Sequence, residues 1–120
     1  MKYFFDSYAI LEIINGNNNY SKFKDEVIVS SSLNLAEVFY ALLTKFGEDC
    51  SINIVKKLDL IILDITTEIA IEASKYRFKH KKSDLSYADC IGYTLALKHN
   101  IKFLTGDKEF KDLPHVEFVK

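Results

Sequence analysis

The chain of 120 residues lacks any marked excess of charge: 16 Lys and Arg against 17 Asp and Glu leave −1 at pH 7. Global attraction to nucleic acid or to an anionic membrane is therefore excluded, and any contact with a polyanion has to come from a local patch. Cysteine is scarce. Cys50 and Cys90 lie in helical patterns without C-x-x-C spacing and without a nearby His, which argues for buried free thiols in a reducing compartment rather than a disulfide framework. Proline occurs once, as Pro114, and arginine once, as Arg77. No apolar run approaches the ~18 residues of a membrane span. The opening "MKYFFDSYAILEII" is broken by Asp6 and Glu12 before a signal-peptide pattern develops. The expectation is a soluble, cytoplasmic protein without membrane contact.

What is present is an ordinary globular balance, 48% hydrophobic and 28% charged. The length suits one domain, 1–120, domains of roughly 100–150 residues being the commonest. "KYFF" (2–5) reads as a short strand ending in Asp6, with Ser7 able to cap a helix over "YAILEII". "GNNN" (16–19) reads as a turn, "EVIVS" (26–30) as a strand, and "LNLAEVFYALLTKF" (33–46) as a helix capped by Ser31 or Ser32. Further helices are expected over 51–59, 66–82 and 86–99, with strands over 60–65, 101–105 and 116–119. The tyrosines Tyr40, Tyr87 and Tyr93 lie on apolar helices and read as packing residues. Strands alternating with helices predict an α/β fold, a mainly parallel sheet with helices on both faces.

In such a sheet, helix N-termini and strand C-termini share one edge, where ligands bind. Asp6 and Asp107 each follow a predicted strand, Asp89 lies in the first turn of its helix, and Glu37 lies in the second turn of another. Four acids from four parts of the chain are thus directed to one edge. Carboxylates within about 4 Å of each other repel by roughly 4 kcal/mol per pair at an effective dielectric near 20. A cluster of that kind needs protons or a cation. All-oxygen ligands suit Mg²⁺ or Mn²⁺ better than zinc, and one or two such ions equip a site for phosphodiester hydrolysis.

Each acid also has a plainer reading. Ser86 and Asp89 have capping-box spacing. Glu37 shares a stripe with Asn34, Ala41 and Thr44 and could be solvated there, Asp107 follows a glycine as turn residues do, and Asp6 could be a cap. Their convergence is what separates the two readings.

Taken in order, these segments resemble the PIN-domain nucleases, in particular the small single-domain toxins of toxin–antitoxin pairs. "YFFDSYAIL" is similar to the family's opening strand and acid, "SSLNLAEVFYAL" to its second motif, "LSYADCIGYTLALKHN" to its third and "IKFLTGDKEF" to its fourth. The resemblance covers essentially the whole chain, and the last two motifs at this separation are its specific part. It implies a three-layer α/β/α sandwich and a Mg²⁺- or Mn²⁺-dependent endoribonuclease. Asp6, Glu37, Asp89 and Asp107 would then be catalytic metal-site acids, with Ser7 and Thr105 as supporting hydroxyls. It further implies a homodimer and a cognate antitoxin. Asp84 or Glu109 could share the role of the fourth acid.

For RNA, "KYRFKHKK" (75–82) concentrates positive charge, and Lys79, Lys81 and Lys82 are the candidate backbone contacts. The same lysines could simply be solvated at the negative end of a helix dipole. Two other functions stay open on the sequence: a PIN-like module that binds without cutting, and a phosphoryl-transfer enzyme using Asp6 as nucleophile. The second lacks an acid adjacent to Asp6. His80, His99 and His115 have no partners at triad-like spacing.

Overall fold

The computed structural model describes residues 1–120. Five strands, β1 (Tyr3–Phe5), β2 (Ile28–Ser31), β3 (Leu60–Leu63), β4 (Lys102–Thr105) and β5 (Val116–Phe118), form one sheet. Its order is β3-β2-β1-β4-β5 and every pairing is parallel. Five helices connect them: α1 (Ser7–Asn15), α2 (Ser32–Phe46), α3 (Glu48–Lys56), α4 (Thr67–Lys79) and α5 (Tyr87–Lys98).

Because side chains alternate along a strand, neighbouring residues serve opposite faces. Phe4, Val29 and Phe103 pack with α4 and α5, through Ile69, Ala73, Cys90, Tyr93 and Leu95. Phe5, Ile28 and Leu104 pack on the other side with α1 and α2, through Ala9, Ile10, Val38 and Leu42. The result is a three-layer α/β/α sandwich, as expected. Helix α5 lies close to the sheet because residue 92 is glycine: a Cβ there would sit 2.8 Å from the Phe4 ring and 3.0 Å from the Phe103 ring.

Several boundaries differ from the sequence reading. The strand expected over 26–30 is Ile28–Ser31, so Ser31 both ends β2 and caps α2, its Oγ accepting from Asn34 N. The helix expected over 51–59 begins at Glu48, where two acids in the first turn favour an N-terminus. The helix expected over 66–82 stops at Lys79, with His80 as its C-cap. "GNNN" gives way to a 3₁₀ helix over Asn18–Phe23, whose Tyr20 and Phe23 are buried. Cys90 is buried as expected, but Cys50 is exposed, because α3 lies outside α2 and buries only Ser51. Tyr93 is a packing residue; Tyr40 and Tyr87 are not, being 70% and 54% exposed.

Candidate active site

The C-terminal ends of β1 and β4 lie side by side, with Phe5 paired to Leu104, and each passes straight into a polar residue. Asp6 caps α1: its carboxylate accepts the Ala9 N–H at 2.7 Å. The second carboxylate oxygen accepts the Thr105 hydroxyl at 2.5 Å, and Thr105 Oγ1 in turn accepts the Asp107 N–H at 3.0 Å. One hydroxyl, on the last residue of β4, therefore ties the acid after β1 to the loop that follows β4. Asp6 is only 3% exposed. Burial pushes its pKa from 3.8 up to about 7, against the lowering effect of the Thr105 and Ala9 hydrogen bonds, and the charges of Asp89 and Asp107 add to the rise.

A second network brings in α2. Ser7 Oγ donates to Glu37 Oε1 at 2.6 Å and accepts from Asn34 Nδ2 at 3.1 Å. Asn34 is itself held by Ser31, whose Oγ donates to Asn34 Oδ1 at 2.6 Å. Asn34 is buried at 1% exposure, and it is the one member of the site that the motif reading did not single out. It did lie on the same helical stripe as Glu37, which is the signal that points to it.

Asp89 completes the arrangement from the N-terminal turn of α5. The capping box is real: Ser86 N–H donates to Asp89 Oδ2 at 2.9 Å, and Asp89 N–H donates to Ser86 Oγ at 3.1 Å. Its pKa is nevertheless raised, first by burial, and then by the charges of Asp107 and Glu37, with the Ser86 hydrogen bonds opposing. Capping and membership of an acidic group thus coexist in one side chain. Asp89 and Asp107 thus act on Asp6, and Asp107 and Glu37 act on Asp89. Asp84 and Glu109 are not among the charges acting on Asp6 or Asp89; Asp84 lines a cleft between α4 and α5, and the Glu109 N–H donates to Asp107 Oδ1.

Gly106 sits between Thr105 and Asp107, and the Tyr8 ring fills the space where its side chain would be. A Cβ at residue 106 would come within 2.2 Å of that ring. The three candidate lysines do not gather with the acids: Lys81 lines the α4–α5 cleft, Lys79 faces a separate groove with Glu72, and Lys82 lies in the exposed turn between.

The arrangement is an all-oxygen donor set, which fits a hard divalent cation. No three acids, histidines or cysteines stand close enough to hold an ion as a group. Of the hard cations, Mg²⁺ takes one or two carboxylates directly and keeps several waters.

Fold and edge together define a parallel α/β/α protein with a carboxylate-lined edge built from four separate segments. The chain belongs to the PIN domain family, whose profile matches residues 3–116. Among solved structures it is similar to the Mycobacterium tuberculosis VapC20 toxin, which cleaves the sarcin–ricin loop: TM-score 0.80, 15% identity, 99% of this chain and 100% of that one. It is also similar to VapBC2 of Rickettsia felis bound to a fragment of promoter DNA, with TM-score 0.73 and 22% identity over all of both chains. DNA-bound VapBC of Salmonella typhimurium gives TM-score 0.76 at 20% identity, over 98% of this chain and 96% of that one. At such identities the likeness carries the fold. Comparison with curated protein sequences gives no match.

Proposed function

We propose that this protein is a Mg²⁺- or Mn²⁺-dependent endoribonuclease and the toxin of a toxin–antitoxin pair. The observation that carries the reading is Asp6: a carboxylate buried at a sheet edge, its pKa raised to about 7, within electrostatic reach of two further acids. Asp6, Asp89, Asp107 and Glu37 would hold the cation between them, one or two by direct contact and the others through its waters. When bound, it would polarise the scissile phosphate and make a water nucleophilic near neutral pH. Thr105 fixes the Asp6 carboxylate and Ser7 fixes Glu37, so that the acids present their free lone pairs in one orientation. Lys81, with Lys79 and Lys82 nearby in sequence, would hold the RNA backbone.

A cognate antitoxin as partner is supported by the likeness to the toxin–antitoxin complexes and by Tyr40, Leu43, Phe46 and Ile52, which α2 and α3 leave exposed. A homodimer and a cytoplasmic location belong to the same proposal. No helix is long and apolar enough to cross a membrane. The second reading, a PIN-like module that binds without cutting, is favoured by one observation, the loose spacing of the acids.

Purified protein is incubated with a mixed RNA pool in Mn²⁺ or in chelator, with Asp89→Asn alongside. Cleavage by the wild type in Mn²⁺ alone, lost in the variant, is expected. An asparagine can still accept the Ser86 N–H, so the variant should keep its stability, whereas a cap lost altogether costs about 0.5–2 kcal/mol. Cleavage that survives in the variant reduces Asp89 to a cap. Absence of cleavage by the wild type leaves two options, an RNA target absent from the pool or the non-cutting module.

A further inference from the structure

The C-terminal turn of α4 and the N-terminal turn of α5 enclose a cleft of about 340 Å³ whose aromatic and cationic side chains lie outside the hydrophobic core. Phe78 and Tyr87 line it while remaining 70% and 54% exposed. The Arg77 guanidinium lies 4.4 Å from the Tyr87 ring centroid, and its Nε donates to the Leu85 carbonyl at 3.0 Å. Lys81 Nζ lies 4.8 Å from the centre of the Phe78 ring. Between Glu72 and Asp84 the chain carries Lys75, Arg77, Lys79, Lys81 and Lys82 and no acid.

We propose that this cleft binds an unpaired nucleotide of single-stranded RNA, its base stacked on the open face of Tyr87 and its phosphate held by Arg77 and Lys81. Arg77, fixed by the Leu85 carbonyl, covers one face of Tyr87 and so orders the ring before a ligand arrives, which lowers the entropy lost on stacking. Bases offer π-faces to such a platform only when unpaired, and the phosphate supplies the complementary charge. A duplex keeps its bases stacked on one another. An acidic peptide would use the cations and leave both aromatics idle. Asp84 on the same cleft repels phosphate, so the backbone runs along the Arg77–Lys81 side. Tyr87 and Asp89 share the first turn of α5, so the cleft and the acidic edge lie at the same end of that helix, on different sides of it. Any link between the two rests on the nuclease reading; the binding itself does not.

The test is fluorescence anisotropy in chelator, where nothing is cut. A short labelled RNA strand is compared with an abasic strand of equal charge and with an RNA duplex. Tyr87→Ala should weaken binding of the normal strand roughly 5- to 150-fold, Tyr87→Phe should retain it, and Phe78→Ala should give a smaller loss. Wild type should bind the abasic strand about as weakly as Tyr87→Ala binds the normal one. Lys81→Ala should weaken both strands alike and reduce the salt slope by about 0.7. Both aromatics are exposed, so their truncation leaves the fold intact, which circular dichroism checks. The proposal is overturned if the wild type does not bind the strand, if it binds abasic or duplex RNA as tightly, or if Tyr87→Ala changes nothing. A parallel Mn²⁺ digestion separates the two readings. Stacking without cleavage keeps the cleft and leaves the nuclease reading without support, whereas cleavage with an unchanged KM in Tyr87→Ala does the reverse.

Discussion

At the edge where β1, β2 and β4 end, polar side chains are sealed inside the protein; at the edge where the same strands begin, they stand in water. Asp6, Ser30, Ser31, Asn34 and Thr105 are all buried at the first edge, and Ser51 in α3 is the one buried polar residue elsewhere. Their hydrogen bonds run to one another, to backbone or to Ser7, as when Ser30 Oγ donates to the Phe5 carbonyl at 2.9 Å. At the opposite edge Lys2 reaches Glu26 at 3.9 Å and Lys102 reaches Glu117 at 3.7 Å, with both lysines more than half exposed. Surface pairs of that kind contribute little, about 0–1 kcal/mol. A buried carboxylate is different, because desolvation opposes its charge. Capping α1 does not require that charge, since Ser or Asn caps as well. The contrast sets the edge of the proposed site apart from the other, which is ordinary surface.

The largest effect that bears on this contrast is expected from Asp6→Asn. Cleavage should fall by at least about 10³-fold, the scale of a lost metal-site ligand, while the cap to Ala9 is kept. Stability should move the other way. Asp6 has its pKa raised from 3.8 to about 7 on folding, so the folded state binds the proton more tightly than the unfolded one. Its favourable contribution is therefore full below about pH 4 and is lost as pH rises through about 7, an upper bound of about 4 kcal/mol. Urea titrations at pH 5 and pH 8 should show the metal-free wild type losing stability with pH and Asp6→Asn losing less. Mg²⁺ binds the deprotonated form, so it should raise the wild-type Tm more at pH 8 than at pH 5, and the variant's hardly at all. A wild type whose stability ignores both pH and cation would erase the distinction between the edges.

A finer probe is Gly106→Ala, which forces a methyl group into the Tyr8 ring from the loop carrying Asp107. Either the ring or the loop has to shift, and overpacking of this kind costs about 1–3 kcal/mol. Cleavage should fall with it, because Thr105 and Asp107 flank the glycine and Thr105 holds Asp6. Tyr8→Ala combined with Gly106→Ala should recover the lost stability. A double variant no more stable than Gly106→Ala alone would show that Tyr8 is not what excludes a side chain at residue 106.

How far the sequence could lead depended on whether the relevant contact was local. Asp6 and Asp107 were legible because each follows an apolar, strand-like run, and Asp89 because it lies in the first turn of an expected helix. The α/β alternation was legible for the same reason. The order β3-β2-β1-β4-β5 was not, since nothing local says which strand lies between which. Nor was the role of Asn34, whose partner Ser7 is 27 residues away. Tyr87 shows the converse: its apolar neighbours suggested packing, but at the first helical position it points away from the core and toward Arg77.

The smallest expected effect tests the ordinary edge. Lys102 opens β4, the strand that Thr105 closes, and its side chain is 58% exposed beside Glu117. Three residues of strand separate the two positions by roughly 10 Å, beyond the Debye length of about 8 Å at physiological salt. Lys102→Ala should therefore shift stability by no more than about 0.5 kcal/mol and leave both cleavage and the pH dependence of stability unchanged. Urea titration and the Mn²⁺ digestion read these directly. A change in cleavage of tenfold or more would mean that charge at the start of the strands is felt at their ends. Asp6 and Asp89 would then owe their raised pKa values to the field of the whole molecule rather than to burial where they stand.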